Sequence, residues 1–298
     1  MFGNYFGHYL LEQGLITSSQ YTEISEAQKS ARVKLGLLAV ASGLLTQKQA
    51  DRVNLLQQQK DKRFGDIAIE EGYLTKEQVD EMLSKQGDAY MTFVQTITDR
   101  DIMTLEELQE HVTKFQEYEN YTDAEMDALK SGDLDRIVPI FLREPALSKL
   151  HKDYVALTMR NLMRFVDTDI RMEQVVQLTS MTVTSGAQQG IFGDQQMFTS
   201  IFGDDAGILK VACAYGKEDF KEIDIFSLDA ISEFLNVNNG LFVSGQSEVG
   251  IEMDLEPPAM YQGDKTASCE GIAYVIPVYL SGNKITVVFG INVELTLA

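Results

Sequence analysis

Cysteine and histidine are scarce in this 298-residue chain, which has two cysteines, Cys213 and Cys269, and three scattered histidines. Two cysteines cannot build a disulfide framework, and no spacing among these residues suits a structural zinc. Each cysteine reads as a small, reduced hydrophobe. Basic residues are outnumbered, 25 against 45 acidic, for a formal net charge of −20 that both halves of the chain share. That balance disfavours nucleic acid as the main partner. No stretch approaches the roughly eighteen uninterrupted apolar residues of a membrane span, and the beginning, Met-Phe-Gly-Asn-Tyr-Phe-Gly-His, lacks a basic segment followed by an apolar one. A soluble cytoplasmic protein without membrane insertion is the expectation. Catalytic signatures are missing too. The absence of Gly-x4-Gly-Lys-Ser/Thr excludes a P-loop ATPase, and neither Gly-x-Ser-x-Gly nor His-Glu-x-x-His occurs.

What remains is close to average globular composition, with 44% hydrophobic and 23% charged residues, over a length that allows two domains. The N-terminal third repeats itself every 29 residues. Phe6-Gly7, Leu35-Gly36 and Phe64-Gly65 align, and the same register superimposes Gly14, Gly43 and Gly72, then Thr17, Thr46 and Thr75, then Gln20, Gln49 and Gln78. The glutamines Gln28, Gln57 and Gln86 complete the pattern. An eroded fourth copy runs from Phe93 to about Phe115 and keeps Thr104 and Glu107. Within a copy, a short apolar helix should end at a glycine suited to the left-handed conformation. The following Thr-x-x-Gln or Thr-x-x-Glu is a capping box that starts a longer helix. No single copy can bury its apolar face alone, so neighbours must pack together. This predicts an all-α helical repeat module over 1–115, with copies at about 5–28, 34–57, 63–86 and 93–115.

The second and third copies resemble the tandem motif of the cyclic-di-GMP-binding domain at the N-terminus of MshE-type ATPases. The matching pattern is Lys34-Leu35-Gly36, Ala39-Val40, Gly43 and Gln57, a spacer at 58–62, then Arg63-Phe64-Gly65, Ala68-Ile69, Gly72 and Gln86. The resemblance implies a nucleotide site lined by Lys34, Leu35, Gly36, Val40, Gln57, Arg63, Phe64, Gly65, Ile69 and Gln86, with cyclic di-GMP as the ligand. Lys34 stands where the family has arginine and cannot offer its bidentate fork. The open alternative is a protein-docking module whose glycines and glutamines serve packing and helix caps.

Residues 116–146 are polar and acidic, punctuated by Gly132, Pro139 and Pro145, and read as a linker. From Leu147 the apolar positions Leu150, Tyr154, Leu157, Leu162 and Phe165 approximate one stripe of an amphipathic helix. Beyond it, alternating and β-branched stretches at 181–184, 207–215, 271–280 and 285–297 read as strands. Asp204-Asp205 reads as turn chemistry rather than a metal site. The expectation is an α/β domain over 147–298.

Its most informative segment is Asp229-Ala-Ile-Ser-Glu233-Phe-Leu-Asn236-Val-Asn-Asn-Gly240. On a helix, Ile231, Phe234 and Leu235 would face inward while Asp229, Glu233 and Asn236 project together from the other side. Gly240 would stop the helix, and Leu241-Phe-Val would open a strand. Asp229, Glu233 and Asn236, with Pro258 downstream, resemble the motif of the CheC/CheX/FliY chemotaxis phosphatases. That resemblance implies hydrolysis of the aspartyl phosphate on a CheY-like response regulator. Asn236 would orient the attacking water, Glu233 would pair with the regulator's lysine, and Asp229 would support the helix or its contacts. It also implies a homodimer through sheet edges and no cofactor bound by this chain, the Mg²⁺ belonging to the regulator. Two alternatives stand beside the phosphatase, a non-catalytic adaptor and a cyclic-di-GMP receptor with a degenerate phosphatase fold.

Overall fold

A computed structural model describes residues 2–28, 34–60, 63–84 and 89–298. The chain divides into two compact units, 1–133 and 134–298.

The N-terminal unit is helical: α1 (Phe2–Glu12), α2 (Ser18–Gln28), α3 (Leu35–Ala41), α4 (Gln47–Lys60), α5 (Phe64–Glu70), α6 (Lys76–Ser84), α7 (Ala89–Asp99), α8 (Leu105–Glu119) and α9 (Asp123–Ser131). Local chemistry sets these boundaries. The helices α2, α4, α6 and α8 each begin one residue after a threonine, Thr17, Thr46, Thr75 and Thr104. The Thr46 Oγ1 accepts the Gln49 N–H at 3.3 Å, while the Gln49 Oε1 accepts the Thr46 N–H at 2.8 Å. Such a reciprocal cap satisfies two helix-end donors and contributes about 0.5–2 kcal/mol. Gly14, Gly43 and Gly72 take φ of 67°, 69° and 71°, where any other L-residue is strained. Packing then joins the helices. Leu38, Val53, Phe64, Ile67, Leu74, Val79 and Met82 form one buried cluster across α3 to α6. A ring cluster of Phe2, Phe6, Tyr9, Phe93 and Phe115 fastens α1 to α7 and α8.

The segment 116–146, expected as a linker, is mostly helix. Asn120 ends α8 at φ 53°, and a further capping box, Thr122 with Glu125, starts α9. After Gly132 comes α10 (Leu134–Phe141), which carries Pro139 and buries Leu134, Ile137, Val138, Ile140 and Phe141. Three of the segment's acidic residues, Asp123, Glu125 and Asp135, stand in first helical turns, where they face the positive end of the helix dipole. At those three positions acidity belongs to helix starts rather than open chain.

The C-terminal unit, from α10 onward, sets α11 (Lys149–Phe165), α12 (Asp205–Gly216) and α13 (Ile225–Ser247) with a nine-stranded sheet. The strands are β1 (Ile170–Met172), β2 (Val176–Gln177), β3 (Met181–Gly193), β4 (Met197–Gly203), β5 (Met253–Leu255), β6 (Ala259–Cys269), β7 (Ala273–Leu280), β8 (Asn283–Ile291) and β9 (Leu295–Leu297). Their order is β1-β7-β8-β4-β3-β6-β9, with β2 on β7 and β5 on β3. Every pairing is antiparallel, so the expected α/β class resolves into segregated helices and sheet.

Two elements depart from the sequence expectation. Residues 207–215, read as a strand, lie in α12, because Ile208, Val211 and Ala212 bury at helical rather than alternating spacing. Asp204 caps that helix by accepting the Gly207 N–H at 2.8 Å, so the Asp204-Asp205 pair is a helix start rather than a turn. Gly240 does not stop α13, and 241–243 are helical rather than a strand. The buried stripe runs on through Ile231, Leu235, Asn238 and Phe242, and packing of that stripe outweighs the roughly 1 kcal/mol penalty of one mid-helix glycine. Among the described residues no helix is long and apolar enough to cross a membrane.

Candidate functional site

The site is built on α13. Asp224 anchors its start by accepting the N–H groups of Phe226 and Ser227, at 3.1 and 2.8 Å, while the Ser227 hydroxyl oxygen accepts the Asp224 N–H at 2.9 Å. From that fixed start the helix turns Leu228, Ile231, Phe234 and Leu235 into the core. Asp229, Glu233 and Asn236 are exposed and four and three residues apart, so they share one face. Phe234 packs edge-on against Tyr215 of α12, with ring centroids 5.4 Å apart. Burial raises the Tyr215 phenol above its ordinary value, and the nearby Glu233 carboxylate raises it further.

Three asparagines follow one another within four residues and serve different ends. Asn238 is buried and ties α13 to α11, accepting from Asn161 Nδ2 at 2.9 Å and donating to Thr158 Oγ1 at 3.1 Å. Asn239, equally buried, donates to Gln189 Oε1 on β3 and to Thr199 Oγ1 on β4, both at 2.8 Å. Asn236 lies at the surface, but its Oδ1 accepts from Gln189 Nε2 at 2.7 Å. The same Gln189 nitrogen donates to the Glu256 carbonyl at 2.8 Å, immediately before Pro257-Pro258. Helix, strand and the segment between β5 and β6 therefore meet at one carboxamide. The Asn236 side chain is tethered through its Oδ1, which leaves its NH2 group for another partner. No cluster of metal-ligating side chains occurs among the described residues.

The residues of this site divide by how they announce themselves. Asp229, Glu233 and Asn236 lie together as their spacing requires. Gln189, Asn239, Thr199 and the Glu256 carbonyl were not anticipated. The one available signal was a glutamine at an inward position of a strand, in step with Ala187 and Ile191, where an apolar residue is usual.

The residues of the expected nucleotide site are differently placed. Gly36 is buried, and a Cβ there would sit 3.0 Å from the Phe64 ring; one on Gly65 would meet Val79 at 2.8 Å. Leu35 and Val40 pack against the cluster that contains Phe64. These positions hold two helix pairs together. Lys34 is exposed, with Nζ 2.7 Å from an Asp99 oxygen, and Arg63 and Ile69 are exposed as well. Gln86 and the side chain of Gln57 lie outside the described residues. A cleft of about 670 Å³ takes in Lys34 and Gly36 together with Gln47, Asn54, Asp99 and Glu107.

The family model described as chemotaxis phosphatase CheX matches residues 185–281, a segment that holds Gln189, Asp229, Glu233, Asn236 and Pro258. No curated protein matches the chain. Among solved structures, a chemotaxis protein CheX from Desulfovibrio desulfuricans is similar at 20% identity and a TM-score of 0.43, over 49% of this chain and 100% of that one. A CheX-CheY-BeF3-Mg²⁺ complex from Borrelia burgdorferi is similar at 21% identity and a TM-score of 0.39, over 47% and 96%. FliY from Thermotoga maritima is similar at 13% identity and a TM-score of 0.30, over 45% and 83%.

Proposed function

We propose that the C-terminal unit hydrolyses the aspartyl phosphate of a CheY-like response regulator. The observation that carries this reading is the pairing of an exposed carboxylate, Glu233, with an exposed carboxamide, Asn236, hydrogen-bonded to Gln189, one helical turn apart in a segment that matches the CheX family model. An aspartyl phosphate is an activated acyl phosphate, and the regulator brings its own Mg²⁺ and lysine. The remaining task is to place a water in line with the breaking P–O bond and hold it there. Water attacks phosphorus, the bond to the aspartyl oxygen breaks, and inorganic phosphate and the free aspartate result. The loose transition state needs position more than basicity, so an amide suffices. With its Oδ1 engaged by Gln189, Asn236 offers its NH2 donors to that water. Glu233 meets the regulator's lysine, and Asp229, one turn earlier on the same face, extends the acidic contact.

The two roles separate kinetically. Asn236→Ala should lower kcat about 100-fold with KM little changed, because only the water is misplaced. Glu233→Ala should raise KM, because docking loses its ion pair. An adaptor would instead bind the phosphorylated regulator without changing its lifetime.

A second reading concerns the N-terminal unit as a receptor for cyclic di-GMP. The observation behind it is a cleft of about 670 Å³ that takes in Lys34 and Gly36, a volume within the range of small-molecule sites, although Asp99, Asp101 and Glu107 in the same lining oppose a cyclic diphosphate. Calorimetric titration of the whole chain with cyclic di-GMP should then give saturable heat that Lys34→Ala and Arg63→Ala weaken. An absence of heat would leave the helical unit as a protein-docking module.

A further inference from the structure

Gln189 is 1% exposed, and its carboxamide is fully engaged. Its Oε1 accepts from Asn239 Nδ2 at 2.8 Å, and its Nε2 donates to both the Glu256 carbonyl at 2.8 Å and Asn236 Oδ1 at 2.7 Å. The order of donors and acceptors along this chain is dictated by one atom. A peptide carbonyl can only accept, so the end of Gln189 that faces Glu256 must be its NH2 group. The same NH2 then faces Asn236, whose oxygen must turn toward it. The Asn236 NH2 is thereby sent outward. The backbone of Glu256 is itself fixed, since its N–H donates to the Gly190 carbonyl of β3 at 3.0 Å and Pro257-Pro258 follow it with restricted φ. Thr199 closes the arrangement from the neighbouring strand by sharing the Asn239 donor.

We propose that Gln189 is the positioning residue of the site, selecting which end of the Asn236 carboxamide is presented to the reacting water. The inference rests on the hydrolytic reading above and names a residue that the helix motif does not contain. It also gives a physical role to the segment at Pro258, which delivers the Glu256 carbonyl that sets the polarity of the chain. A glutamate at 189 has the same shape, but its carboxylate carries no proton to give to Asn236 or to Glu256, and its acid form has one O–H where Gln189 has two N–H groups. Asn236 would then turn its NH2 inward and present its oxygen to the water.

The test is Gln189→Glu in the full chain, assayed on a CheY-type receiver domain phosphorylated in the presence of Mg²⁺, beside side-chain amide exchange in the wild type. We expect kcat to fall about 10- to 100-fold with KM within about twofold, since docking through Glu233 is untouched. The Gln189 NH2 protons should exchange at least about tenfold more slowly than those of Asn236. A Gln189→Glu enzyme with wild-type kcat, or one altered in KM alone, would overturn the positioning role. So would Gln189 protons that exchange as fast as exposed ones, a result that holds even where the variant does not fold. Failure of the hydrolytic reading looks different, because the wild type itself would then leave the receiver's phosphate untouched.

Discussion

In the N-terminal unit, the helix that begins after Thr46 is fixed by a glutamine three residues away, and the same holds at Thr17 and Thr75. In the C-terminal unit, Asn236 is fixed by a glutamine 47 residues away, Asn239 by a threonine 40 away and Asn238 by an asparagine 77 away. These glutamines of the first region serve helix ends at the surface. The second region sets these asparagines between layers, with Asn238 and Asn239 buried and Asn236 at the surface, and there losing one partner leaves the other unpaired in low dielectric, as Asn239 Oδ1 already is. Surface caps make an adaptable helical unit, since each can be lost singly at small cost. A buried amide chain makes a rigid platform, which suits holding a water.

That contrast should show first in the aromatic cluster of the helical unit. Phe6 is fully buried against Phe2, Tyr9, Phe93 and Phe115, and Phe6→Ala should cost about 3–5 kcal/mol in denaturant unfolding. The loss should fall on the N-terminal transition, with hydrolysis by the C-terminal unit intact. Loss of hydrolysis as well would mean that the two units do not stand apart energetically.

Next comes the buried amide chain. Asn239→Ala removes donors to both Gln189 and Thr199 and should cost about 1–3 kcal/mol, together with activity, because Gln189 is freed to turn. An unchanged kcat would break the link between burial and function drawn here.

A third effect is a dependence on pH. Burial lowers His151 from its ordinary value near 6.5 to about 4, and its Nδ1 caps α11 by accepting the Ser148 N–H at 3.1 Å. As pH falls through 6.5 the unfolded chain takes up a proton that the folded chain refuses. The His151 contribution to the stability of the C-terminal unit should therefore decline from pH 6.5 toward 4 and level off below. There Asp167, lowered against the effect of burial by its Lys210 and Ser281 partners, begins to lose its own contribution. His151→Gln keeps the capping box and should flatten that slope in pH-resolved melts. An unaltered slope would place the titrating group elsewhere.

The smallest effect is local. Thr46→Ala should destabilise the helical unit by only about 0.5–2 kcal/mol, measured as a shift in its midpoint with unchanged steepness. A larger loss would show that the caps are coupled through the shared core rather than independent.

The same contrast explains what the sequence disclosed. Threonine caps, left-handed glycines and the Asp229, Glu233 and Asn236 spacing are contacts within one or two helical turns, so their partners stand next to them in the chain. The capping box at Thr122 was equally local, but the acidic composition around it read as linker. The run at 207–215 was ambiguous because a short apolar stretch fits a buried strand as well as a buried helix, and only packing on Lys284 and Ile285 decides it. Gly240 misled for a related reason, since glycine stops a helix only where the buried stripe stops too. Gln189 was out of reach because its meaning lies in three partners from distant parts of the chain.

The most direct test of the central claim is the first-order decay of a phosphorylated CheY-type receiver with catalytic amounts of the whole chain, wild type against Asn236→Ala. Decay should quicken with wild type and fall back about 100-fold toward the unassisted rate with the variant. Identical decay with wild type, variant and no added protein would contradict it.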